Sequence, residues 1–269
     1  MSKKLKNAIS IKTRAYFLSP SAELILVITL LFGLGFAFWT EISAMIFKTD
    51  YVGGINDFSR QIAIMILSTA VVLLSTMMIV RIGMQVGFEK GNKISEIILT
   101  SLTSSELFVS HFVSGLIIMV TVIVTVTVPI AMTIVFKLGM AVVFENTKLL
   151  QVGFAFLHTL LVFAVYVLTG IAAASKVKRI EDTGQYMAFL MLPNIVSQVF
   201  FVINGSVYSG KFVFCNFIPY VTLITGVGAS LNGSLGNGDM VFMLSGDLLF
   251  CGLCAVVCKK IYIKNISIK

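Results

Sequence analysis

The sequence predicts an all-α membrane protein with six transmembrane helices and both termini in the cytoplasm. Three observations carry this expectation. Charged residues make up 12% of the 269, about half the roughly 25% of a soluble domain. Mean hydropathy is +1.00, and the apolar residues fall into blocks close to the ~20 residues a helix needs to cross a bilayer. The basic residues, finally, are distributed unevenly between the segments that join those blocks.

The blocks are Leu24–Trp39, Gln61–Val80, Phe112–Phe136, Val152–Ala174, Tyr186–Ile203 and Met240–Val257. With the N-terminus inside, the inner segments hold Lys3, Lys4, Lys6, Lys12, Arg14, Arg81, Lys90, Lys93, Lys176, Lys178, Arg179, Lys259, Lys260, Lys264 and Lys269. The outer segments hold Lys48, Arg60, Lys137, Lys148 and Lys211. A three-to-one bias of this kind is the positive-inside pattern. The net charge of +8 is therefore topological, and nucleic acid is not an expected partner. The first block leaves into Trp39-Thr40-Glu41 with no small-x-small cleavage site, so it reads as an uncleaved span. One membrane domain, 1–269, accounts for the chain.

Residues 1–20 are basic with Leu5, Ile9, Tyr16 and Phe17 interleaved, the pattern of a helix lying on the inner membrane surface against anionic lipid. Between the second and third spans, residues 87–102 read as a short amphipathic cytoplasmic helix. Ile94, Ile97, Ile98 and Leu102 share one face, Glu89 and Lys93 are spaced as an i,i+4 pair, and Lys93 and Glu96 lie one turn apart. Thr103-Ser104-Ser105-Glu106 then has the form of a capping box opening the third span. The charges of 87–106 are balanced, which suits a protein groove better than a purely anionic lipid surface.

Residues 212–231 are apolar and nearly long enough to span, but a seventh crossing would put Lys259, Lys260, Lys264 and Lys269 outside, against the charge rule. Pro219, Gly226 and Gly228 interrupt the run. The expectation is an outer re-entrant hairpin of two short half-helices between spans five and six.

Polar groups inside spans are costly and informative. Asp247 lies in the sixth span, and Asn194 and Gln198 follow Pro193 one turn apart in the fifth. With Pro219 they are the candidates for a translocation path or outer gate, interhelical hydrogen bonding being the competing role. His111 and His158 stand isolated in the sequence. Cys251-Gly-Leu-Cys254 and Cys258 sit in a span without a nearby histidine and read as small packing residues. Gly205-Ser-Val-Tyr-Ser-Gly210-Lys211 nearly matches a phosphate-binding loop, but Phe212 stands where a Ser or Thr must hold Mg²⁺. With no catalytic or nucleotide motif in the chain, no enzymatic activity or bound cofactor is expected of it.

The stretch FEKGNKISEIILTS, Phe88 to Ser101, resembles the coupling-helix signature of ATP-binding-cassette permeases of the type-2 exporter class. Arg14-Ala-Tyr-Phe-Leu-Ser-Pro20 is similar to that family's amphipathic leading helix, and Ala173 to Asp182 to its second inner loop. Phe217-Ile-Pro-Tyr220 sits where the family has a proline-containing outer hairpin. Leu102 stands where the family often has proline, and no large outer domain is present. The resemblance implies a permease of short form, working with a second permease chain, identical or homologous, in the cell membrane. It implies that 89–102 docks into a cytosolic ATPase subunit, which binds the ATP and Mg²⁺. Glu89, Lys93 and Glu96 would supply polar contacts there, and Ile94, Ile97 and Ile98 the apolar anchor. The expected function is ATP-driven export of a hydrophobic or amphipathic peptide, lipid or drug. A secondary carrier or channel, or a non-transporting immunity or assembly protein, is the alternative.

Overall fold

The computed structural model describes residues 2–18, 79–146, 149–177, 182–186, 210–231 and 235–266, with Val27, Leu31, Leu192, Ile195 and Val196. At 126–146, 149, 210–213, 224, 228 and 231 it describes backbone alone. The described residues are helical or in turns, and none forms a strand. In chain order the helices are α1 (Lys3–Phe17), α2 (79–91), α3 (Ile94–Leu99), α4 (Ser104–Asn146), α5 (Leu149–Lys176), α6 (Pro219–Leu231) and α7 (Asn237–Ile266). A 3-10 turn, Gly210–Phe217, precedes α6.

Among the described residues three helices are long and apolar enough to cross a membrane: Ser104–Thr125 of α4, Leu150–Lys176 of α5, and α7. Helices α4, α5 and α7 contain the predicted third, fourth and sixth blocks. The first block apart from Val27 and Leu31, the second apart from Ile79 and Val80, and the fifth apart from Tyr186, Leu192, Ile195 and Val196 lie outside the described residues.

Helix α1 begins at Ser2, whose hydroxyl accepts from the Leu5 amide at 3.2 Å, as an N-cap should. Its buried residues are Leu5, Ile9, Lys12 and Tyr16, one helical stripe, and this stripe packs on α4. The face that the sequence pattern set toward lipid meets protein along this stripe. Exposed Lys3, Lys4, Lys6 and Arg14 remain on the outside.

The capping box forms as expected. The Glu106 amide donates to Thr103 Oγ1 at 3.2 Å, and the Thr103 amide donates to Glu106 Oε2 at 3.0 Å. Two orphan donors of a helix start are satisfied reciprocally.

Helix α5 is the centre of the bundle. It packs on α4, α6 and α7, with Val162, Phe163, Tyr166, Val167 and Ile171 fully enclosed. Helix α7 lies outside it and leaves Val241, Leu248, Leu249, Leu253, Val256 and Val257 exposed, a surface compatible with lipid because acyl chains solvate apolar side chains.

Helix α6 has 13 residues, too few to cross a bilayer. Pro219 is its first residue, where a missing N–H costs nothing. The helix runs on through Gly226 and Gly228, so these glycines do not interrupt it as the sequence pattern predicted. Gly246 of α7 serves a related purpose: a Cβ there would lie 2.6 Å from the Phe217 carbonyl oxygen. That neighbour is backbone and cannot rotate away.

Gly246→Ala should therefore cost on the order of 1–3 kcal/mol through overpacking. Gly252→Ala, one or two turns further along α7 with nothing within 4 Å of the added carbon, should be neutral. Thermal unfolding of the two variants in detergent checks the contrast.

Candidate functional site

The stripe that buries α1 carries one charged residue, Lys12, 7% exposed. Directly opposite, α2 presents Glu89, 9% exposed. Lys12 Nζ donates to both carboxylate oxygens, each at 2.6 Å. His111, two turns into α4, closes the cluster: its Nε2 lies 3.2 Å from Lys12 Nζ and 3.4 Å from Glu89 Oε2. Gln85, one turn before Glu89, donates to Oε1 at 3.3 Å. The ring of Tyr262 from α7 lies 5.9 Å from that of His111. Four helices thus meet at one polar knot inside an apolar bundle.

Burial pushes the Glu89 carboxyl up, but hydrogen bonding and charge from His111 and Lys12 outweigh it and bring the pKa down to about 2. Burial lowers the Lys12 ammonium below its ordinary range, against the pull of Glu89. Glu89 is therefore held ionised and needs its cation.

Two further contacts brace this end. The Arg81 guanidinium lies 4.7 Å from the centroid of the Tyr16 ring, a cation–π distance. Lys90 Nζ donates to the Ser175 carbonyl in the last turn of α5.

Engagement of Glu89 by Lys12 changes the segment that follows. The predicted continuous helix over 87–102 is broken: α2 ends at 91, and Lys93 takes a left-handed conformation at φ 57°. Gly91 and Asn92 are weak helix formers, and Glu89 faces inward rather than toward Lys93. The six residues of α3 then turn Ser95 inward, with Ile94 and Ile98 half-buried. Ile98 packs on the main core and Leu102 is buried. Lys93 and Glu96 are exposed, and Ile97 is 71% exposed. The predicted apolar face is thus split: Ile98 and Leu102 anchor the segment to its own bundle, and Ile97 points away.

The other sequence candidates fall elsewhere. Asn194 and Gln198 lie outside the described residues. Pro219 is buried at the start of α6. Asp247, 1% exposed, meets a partner the sequence did not reveal. His158 of α5 is fully buried, and its Nδ1 lies 2.6 Å from Asp247 Oδ2. His158 Nε2 lies 3.1 Å from the Thr222 carbonyl of α6, and Phe154 stacks on the ring, centroids 5.4 Å apart. Both histidines that looked isolated are thus partners of buried acids, His111 of Glu89 and His158 of Asp247, and no spacing rule could pair His158 with an acid 89 positions away.

Between α5 and α7 an open apolar groove of about 400 Å³ is lined by Thr169, Ala172, Phe250, Leu253 and Cys254, with Lys176 at one end. Cys215, Cys251, Cys254 and Cys258 are free thiols. Among the described residues no three His, Cys, Asp or Glu side chains gather to hold a metal ion. The chain matches no protein-family model and no curated protein.

Lys12→Met should cost about 3–5 kcal/mol, because it strands a buried carboxylate, whereas Lys12→Met with Glu89→Met should recover most of that loss. Thermal unfolding of both variants provides the comparison. Because the folded pKa of Glu89 is depressed, its contribution is complete above about pH 4.5 and is lost as the pH falls toward about 2. An acid-unfolding profile should show this loss in the natural chain and lack it in Glu89→Gln.

Proposed function

We propose that the chain is the membrane subunit of an ATP-driven exporter of the type-2 ATP-binding-cassette class, with six spans and both termini in the cytoplasm. In this reading α3 is the site that receives mechanical work from a separate cytosolic ATPase, and two permease chains act together. The observation that carries the reading is the split face of α3. Ile98 and Leu102 tie the segment to the bundle, while Lys93, Glu96 and Ile97 stand exposed on it. An exposed isoleucine flanked by one acid and one base fits a protein groove of mixed charge.

A rigid attachment is what such a site needs, since displacement of a loosely tethered helix moves nothing else. The Lys12–Glu89–His111 knot lies at the end of α2 just before α3, and four residues separate the end of α3 from α4, which opens at a formed capping box. Glu89 serves this reading as an internal brace. The docking contacts are then Lys93, Glu96 and Ile97. Helix α6 is too short to span and serves this reading as an outer cap, and the apolar groove beside Lys176 supports a hydrophobic or amphipathic cargo.

A second reading, a carrier driven by an ion gradient, gains from the buried His158–Asp247 pair, since ionisable groups within spans mark proton relays. The two readings separate on a single reagent. A photo-crosslinking residue at position 97 should capture an ATPase subunit in the native membrane, and Lys93→Glu with Glu96→Lys should abolish that adduct and the ATP hydrolysis coupled to export. Crosslinks to lipid alone would overturn the exporter reading.

A further inference from the structure

We propose that the groove between α5 and α7 is a binding site for one anionic phospholipid, with an acyl chain lying along the groove and the phosphate head at the lysines beyond it. On α5 the groove is lined by Thr169, Ala172 and Ala173, small side chains three and four positions apart, so that one stripe of the helix recedes. On α7 it is lined by Phe250, Leu253, Val257 and Ile261, again at helical spacing. About 400 Å³ stays open between the two stripes. The site belongs to the chain by itself and does not rest on the exporter reading.

The contact of His158 with Asp247 fixes the relative direction of the two helices. The groove residues follow His158 along α5 and Asp247 along α7, so both helices run past the groove the same way and end on one side of it. Their last turns carry Lys176 and Lys264. Lys176 borders the groove itself, and Lys264 continues the stripe of Val257 and Ile261 one turn further on. Both lysines are exposed. No acid occurs in α5, nor in α7 after Asp247, so nothing on either helix offsets their charge. From Phe250 to Ile261 the groove extends about 17 Å at ~1.5 Å per residue, roughly half of the ~30 Å hydrocarbon core. That is the reach of an acyl chain in one leaflet.

Charge and shape select the occupant together. An apolar gap offers water no partners, and its lining forfeits dispersion contacts that a flexible acyl chain would supply. Leu253 and Val257 are 63% and 52% exposed, so the groove opens on the lipid-compatible face of α7 and a chain can enter from the bilayer without displacing a helix. Two ammonium groups at its end attract a phosphate. A zwitterionic head brings its own cation to compete with them, whereas a head of net negative charge does not. The charge bias that sets the termini inside also sets this end at the cytoplasmic leaflet, where anionic lipids reside and basic pockets between helices hold their heads.

Photolabelling of the full chain in phosphatidylcholine nanodiscs, with a phosphatidylglycerol that carries a diazirine midway along one acyl chain, tests the proposal. Adducts should saturate and map to 169–176 and 250–261. Unlabelled phosphatidylglycerol should displace them, while added phosphatidylcholine with the same chains and free glycerol phosphate should not. Lys176→Gln should weaken the labelling about fivefold, the effect of one lysine near an anionic surface, and Lys176→Arg should restore it. Ala173→Phe, which fills the groove, should remove these adducts and spare those on the exposed face at Val241 and Leu248. Adducts spread evenly over that face, equal displacement by phosphatidylcholine, or displacement by glycerol phosphate overturns the proposal in the natural chain. Unchanged labelling of Lys176→Gln overturns it as well. Failure here leaves an ATPase crosslink at position 97 untouched, and the absence of that crosslink leaves this site standing.

Discussion

The described structure depends on an ammonium and a carboxylate, 77 positions apart in the chain, that meet at 2.6 Å with almost no access to water. Neither group could be left alone there: an unpaired buried charge costs more than most single contacts return. The pairing therefore dictates where α1 lies, how far α2 continues and which way Glu89 points. It also sets the register of α1 on α4, since Lys12 can reach Glu89 only when Leu5, Ile9 and Tyr16 are buried on the same stripe. His111 and Gln85 complete the donor set around the carboxylate. Without such satisfaction a buried pair is a liability.

A second polar pair, His158 with Asp247, lies toward the other end of α5, and the helix between them is apolar and enclosed. This division has a physical logic. Apolar helices in a membrane gain little from the hydrophobic effect on meeting one another, because lipid is as good a solvent for leucine as a neighbouring helix is. Close packing can hold α5 against its neighbours, but it discriminates weakly among registers. A hydrogen-bonded ionisable pair admits one register and one rotation. The two knots thus specify how α1 and α2 join α4 and how α6 and α7 sit on α5, while Val162, Phe163, Tyr166, Val167 and Ile171 fill the space between.

For the exporter reading the consequence is a division of labour along 88–102. The acid of the resembling motif, Glu89, faces the bundle, whereas Lys93, Glu96 and Ile97 face away from it. The left-handed residue Lys93 separates the two parts. A positive φ is unfavourable for a lysine, and it is held here between a helix whose last turn is committed to α1 and a helix anchored by Ile98 and Leu102. The motif thus combines an internal brace with an external surface.

The sequence by itself determined the apolar, helical character of the chain and the positions of three long helices. Block length and hydropathy predicted α4, α5 and α7, and the Thr103–Glu106 spacing predicted the cap, whereas Pro219, read as an interruption of the 212–231 run, is the first residue of α6. These signals are local: a span, a cap or a proline is legible within a few turns. What tertiary structure alone decided is which polar residues are partners. Glu89 looked like a surface acid beside Lys93, Lys12 like a headgroup contact, and His111 and His158 like strays. Each was reassigned by a residue on another helix. In a bundle whose apolar faces are nearly interchangeable, the rotation and register of each helix determine those encounters, and neither leaves a trace in the spacing along one chain.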